Sequence, residues 1–141
     1  MKKIIFVGRT GSGKTSLTQA IKGQKIKYQK TQYVEYGDCI IDTPGEYAEN
    51  NHLGRALALY SYEADIVGLL LSATEPYSLY PPAITSSANR EVVGIVTKTD
   101  HERANVERAE RWLRLAGCKK IFFVSSKTGE GIEEIVNYLK K

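Results

Sequence analysis

Apolar residues fall in short blocks along this chain, and the spacing within each block predicts its conformation. "IIFV", Ile4–Val7, is unbroken and stops at Gly8, as expected of a strand buried on both faces. "KTSLTQAI" predicts a short helix after it. "TQYVEYG" alternates and predicts a half-exposed strand, "DCIID" predicts another strand, and Gly37-Asp38 forms the turn between them. Leu53, Ala56, Leu57 and Tyr60 share one face of a helix that runs through "GRALALYSYEA". "DIVGLLLSAT" is the most apolar block and predicts a central strand. "EPYSLYPPAITSSANR" holds three of the four prolines, so it reads as loop with one short helix.

"EVVGIVTKTD" is another buried strand. From His101 to Ala116, the positions Val106, Ala109, Leu113 and Ala116 recur at helical spacing, and Gly117 supplies the stop. "KKIFFVSS" is the last strand. In "GIEEIVNYLKK", Ile132, Ile135, Val136 and Leu139 form one apolar stripe. Strands alternating with helices predict an α/β protein with three layers, α/β/α, and a mostly parallel six-stranded sheet. "TQYVEYG" is its single antiparallel edge strand. Ligands of such sheets bind at the carboxyl ends of the strands. Chemical motifs are therefore expected just after strands.

Length and charge narrow the picture further. The 141 residues suit a single domain over 1–141, with 42% hydrophobic and 26% charged residues, as in soluble globular domains. No apolar run approaches the roughly 20 residues that cross a bilayer, so no membrane span is expected. The four apolar residues after "MKK" are too few for a signal peptide, which predicts a cytoplasmic protein. Cys39 and Cys118 are far apart and accompany no histidine cluster, so they read as reduced thiols. His52 and His101 are too isolated to form a ligand set or a catalytic pair. A net charge of +4 matches the local positive potential a phosphate site needs, and no nucleic-acid partner is read from it.

Four motifs follow predicted strands. The first is "GRTGSGKT", comprising Gly8, Arg9, Thr10, Gly11, Ser12, Gly13, Lys14 and Thr15, with Ser16 next in the helix. The pattern G-x-x-x-x-G-K-[ST] between a strand and a helix wraps backbone N–H groups around phosphates. Lys14 reaches the β- and γ-phosphates, and the Thr15 hydroxyl ligates Mg²⁺. The second is "DTPGE", in which Asp42 holds Mg²⁺ through its water shell and Gly45 offers its N–H to the γ-phosphate. The third, "TKTD", contains Thr97, Lys98 and Asp100. A carboxylate at Asp100 accepts both the N1–H and the 2-amino group of guanine, a pair adenine lacks. Asp100 is also placed to cap the following helix, and the two roles are compatible. The fourth, "SSK", contains Ser125, Ser126 and Lys127, with the Ser126 N–H facing the guanine carbonyl.

This constellation resembles the Ras-like, translation-factor class of P-loop GTPases over nearly the whole chain, from Lys3 to Leu139. The resemblance implies a G-domain that binds GTP or GDP with Mg²⁺. "GKTSLTQAIKG", "KTQ-x-V-x-Y", "DTPGEY" and the short chain look like the EutP/PduV family, small P-loop proteins of bacterial ethanolamine and propanediol utilisation. That resemblance implies a bacterial cytosolic setting, metabolic microcompartments, and a shell or pathway protein as partner. The family is also associated with ATP binding and acetate phosphorylation, so membership leaves ATP open beside GTP.

Departures from the GTPase pattern shape the expected activity. Only 27 residues separate Lys14 from Asp42, which compresses the first switch and makes Thr31 the candidate for closing over Mg²⁺. Glu46 stands where a water-orienting glutamine is usual. A carboxylate beside the γ-phosphate is repelled, which predicts slow intrinsic turnover, on the order of 10⁻³ per second. The other reading is a kinase passing phosphate from ATP to a small acid such as acetate. Such kinases use an arginine-bearing lid, and the 17 residues from Glu75 to Glu91 hold one arginine. A nucleotide-dependent assembly factor is a third reading.

Overall fold

The apolar blocks pair side by side as a parallel sheet. A computed structural model describes residues 2–8, 13, 16–21, 40–41, 64–75, 80 and 82–140. Its strands are β1 (Ile4–Val7), β2 (Ile40–Ile41), β3 (Ile66–Ser72), β4 (Glu91–Thr97) and β5 (Ile121–Phe123). They lie in the order β2-β1-β3-β4-β5, and every neighbouring pair is parallel. Ile4 pairs with Ile40 on one side and Ile66 on the other, Ile66 pairs with Glu91, and Gly94 pairs with Ile121. Among the described residues the sheet thus has five strands rather than six. The antiparallel edge strand expected over "TQYVEYG" lies outside them.

Both faces of this sheet are covered, which is why its strands read as continuous apolar runs. Ile4 and Phe6 point to one face and Ile5 and Val7 to the other, all at most 1% exposed. The first face packs on helix α1, residues 16–21, through Leu17 and Ile21, and on helix α3 (Ile132–Leu139) through its whole predicted stripe. The second face packs on helix α2 (Val106–Ala116) through Ala109, Leu113 and Ala116. These are the three expected layers. The predicted helix in "GRALALYSYEA" lies outside the described residues, apart from the buried Ala64.

Helix α2 begins later than the end of "TKTD". Asn105 caps it, its side-chain oxygen accepting the Arg108 N–H at 3.0 Å. Asp100 therefore does not cap the helix, which corrects one of its two expected roles. Gly117 ends α2 as predicted, with φ +112°, and the Cys118 N–H closes back on the Leu113 carbonyl at 3.1 Å. Cys118 is a free, buried thiol, and burial pushes its pKa up to about 12. Trp112 packs partly buried against the second-face core with the Arg108 guanidinium 5.2 Å from its ring centre. Among the described residues, the crossover from β3 to β4 contains a 3-10 turn, Ile84–Ser87. At the opposite end of the sheet the Lys2 N–H donates to the Leu139 carbonyl at 2.8 Å.

Candidate functional site

With every strand parallel, the segments that follow β1, β4 and β5 emerge at one edge of the sheet. Gly8 is buried at the end of β1. Gly13 has φ +99°, which L-residues rarely adopt, and its carbonyl accepts the Leu17 N–H at 2.8 Å, leading the chain into α1. A Cβ at Gly13 would lie 3.5 Å from Cβ and Oγ1 of Thr97, the last residue of β4. Thr97 is 2% exposed and lies beside Gly13. Two of the four motifs are thereby in contact.

Beyond Thr97 the chain turns sharply. Lys98 takes φ +58°, and the His101 N–H donates to the Lys98 carbonyl at 3.1 Å. A non-glycine residue held in the left-handed region is uncommon and is sustained only by its surroundings. Thr99 supplies the anchor, donating through both its N–H and its Oγ1 to the Val124 carbonyl, at 3.3 and 3.2 Å. The Asn105 N–H reaches the Ala73 carbonyl at 2.8 Å and ties the turn to the end of β3 as well.

This anchoring sets Asp100 against the fourth motif. The Ser125 hydroxyl donates to Asp100 Oδ1 at 2.7 Å, while Ser125 itself is fully buried. That hydrogen bond holds the carboxyl below the usual carboxylate range against a desolvation cost, assisted by its own backbone N–H and by the charge of Lys127 and His101. Ser125 Oγ also accepts the Thr128 N–H at 3.2 Å, and the Ser125 N–H donates to the Glu130 carbonyl at 2.9 Å. Asp100 is consequently an ionised, oriented acceptor on an otherwise exposed turn.

Together these segments border a cavity of about 630 Å³. Gly13 and Ser16 line it from the first motif, Thr97, Lys98 and Asp100 from the third, and Ser126 and Lys127 from the fourth. Its size falls within the range of small-ligand pockets. Gln19, Ala20 and His101 also line it and belong to no motif. His101 accepts the Arg103 N–H on Nδ1 at 3.0 Å. The sequence hint for His101 was only its place after Asp100. Arg9, Thr10, Gly11, Ser12, Lys14, Thr15, Thr31, Asp42, Gly45 and Glu46 lie outside the described residues. No cluster of metal-ligating side chains occurs among the described residues.

A parallel sheet with a glycine-bearing turn after β1, and polar turns after β4 and β5 meeting at one cavity, is the α/β fold of a P-loop G-domain. The G-domain of FeoB from Methanococcus jannaschii superposes with a TM-score of 0.65 at 18% identity, over 99% of this chain and 95% of that one. The chain belongs to the PduV–EutP family, described as ethanolamine utilisation - propanediol utilisation, whose model matches residues 1–141. It is 43% identical to the propanediol utilization protein PduV of Citrobacter freundii, over 99% of this chain and 93% of that protein. It is 32% identical to the probable acetate kinase EutP of Escherichia coli K12, over 99% and 89% respectively.

Proposed function

We propose that this chain is a Mg²⁺-dependent nucleoside triphosphatase that binds GTP and GDP and turns over slowly, as a switch or assembly factor in ethanolamine or propanediol utilisation. The single observation behind this reading is the Asp100 carboxylate, oriented by Ser125 and facing the cavity that Gly13 also lines. An ionised carboxylate with one oxygen engaged keeps lone pairs for the N1–H and 2-amino donors of guanine. Adenine presents no such pair, so a site of this kind penalises it. The Ser126 N–H would serve the guanine carbonyl, while the Lys98 and Lys127 stems flank the ring. Gly8 to Ser16 would wrap the phosphates, with Lys14 on the β- and γ-phosphates and the Gly45 N–H on the γ-phosphate.

Thr15, Thr31 and Asp42 would hold Mg²⁺, which when bound neutralises charge on the phosphate oxygens. Glu46 would orient water poorly, which sets the slow rate. Its partner would be a pathway or microcompartment shell protein in a cytoplasmic setting, and the family name supports the pathway. No helix among the described residues is long and apolar enough to cross a membrane.

The kinase reading draws on the name of the EutP relative. It is the less favoured, because the β3-to-β4 crossover carries a 3-10 turn and one arginine, Arg90, where a lid would be expected. Calorimetric titration with Mg²⁺-GTP and with Mg²⁺-ATP separates the two. GTP should bind roughly 100-fold more tightly or better, and Asp100→Asn should erase that preference. Equal or tighter binding of ATP, with acetyl phosphate formed when acetate is supplied, would establish the kinase instead.

A further inference from the structure

The two central strands separate at their carboxyl ends. Val7 opposite Leu69 is the last rung between β1 and β3, whereas β3 continues beside β4 as far as Ser72 and Thr97. At that fork β1 ends and the chain passes to Gly8. Carbonyls buried at a fork lose ladder partners and must find others.

Tyr80 stands in the fork. It comes from the proline-rich crossover, it is 7% exposed, and its ring packs in the core with Val7, Leu69, Leu71 and Ala73. Its hydroxyl lies 2.6 Å from the Leu70 carbonyl and 3.1 Å from the Val7 carbonyl. One phenolic proton serves both oxygens, chiefly the nearer one. Burial raises the phenol pKa far above its ordinary value, so the donor persists wherever the protein is folded.

We propose that Tyr80 is a positioning residue for the phosphate loop. Its hydroxyl fixes where β1 releases the chain at Gly8, the first residue of the phosphate motif. This rests on the reading of that loop as a phosphate site. Asp100 and Ser125 sit beyond β4 and β5, whereas the two carbonyls the hydroxyl engages lie on β1 and β3. A loose fork should thus weaken phosphate contacts and spare recognition of the base.

Tyr80→Phe keeps the ring and removes the hydroxyl. Binding of GDP and of guanosine, which has no phosphates, is followed by titration in the wild type and the variant, with thermal unfolding alongside. GDP affinity should fall about 10-fold in the variant, the effect of one lost hydrogen bond, while guanosine affinity stays within about twofold. Replacing Tyr80 with 4-aminophenylalanine, which restores a donor, should recover GDP binding. Unchanged GDP affinity, equal losses for GDP and guanosine, or no recovery with the amino variant would each reduce Tyr80 to core packing. Failure of the wild type to bind GDP would instead remove the nucleotide reading itself, and the proposal with it.

Discussion

Asp100 owes its chemistry to one neighbour. The Ser125 hydroxyl favours the ionised carboxyl, so the pKa is lower in the folded chain than in the unfolded one. The sign follows from linkage: the stability this contributes is present above the unfolded value near 3.9 and is lost as pH falls through the lower folded value. Asp100 is therefore charged throughout the working range. The ratio of GTP to ATP affinity, in which titration of the phosphates cancels, should stay flat from pH 8 to pH 5. A ratio that drops between pH 7 and 5 would take base recognition away from Asp100. The motif spacing made Gly13, Thr97, Asp100 and Ser126 legible in the sequence. Tyr80 was not legible, because a tyrosine among prolines has no periodicity and its two acceptors are backbone carbonyls that sequence does not mark.

Helix α2 shows how far element boundaries follow from pattern. Its apolar face and its glycine stop were readable, since Leu113, Ala116 and Gly117 obey helical spacing and the left-handed requirement. Its start was not, because Asp100 and Asn105 are both good caps and only the anchoring of the turn by Thr99 and the Asn105 N–H selects the second. The stop is the more fragile end. Gly117 combines φ +112° with a neighbour that forbids a side chain, for a Cβ there would collide with the Thr85 hydroxyl of the 3-10 turn. Gly117→Ala should lower the free energy of unfolding by about 1–3 kcal/mol. Urea denaturation would show this as an earlier midpoint at unchanged slope. Adding Thr85→Ala should recover the collision part and leave the backbone strain. Full recovery, or none, would show that only one of the two causes operates.

At the scale of the whole molecule, the pattern of apolar blocks was enough for the layers, because a sheet covered on both faces leaves continuous runs in each strand. The strand order needed the additional rule that such crossovers are right-handed and the sheet doubly wound. The hydrogen bond from the Lys2 N–H to the Leu139 carbonyl, 2.8 Å long, has a further consequence. It places the beginning of β1 and the end of α3 side by side, so chain continuity can be moved without moving the fold. A circular permutant that joins residues 2 and 140 through a short glycine linker and opens at the exposed Lys119–Lys120 bend should fold, with β5 and α3 now translated first. Its circular dichroism and GDP affinity should match those of the parent chain. An unfolded permutant would mean that the order of synthesis, and not only the set of final contacts, is needed to bring β1 into the centre of the sheet.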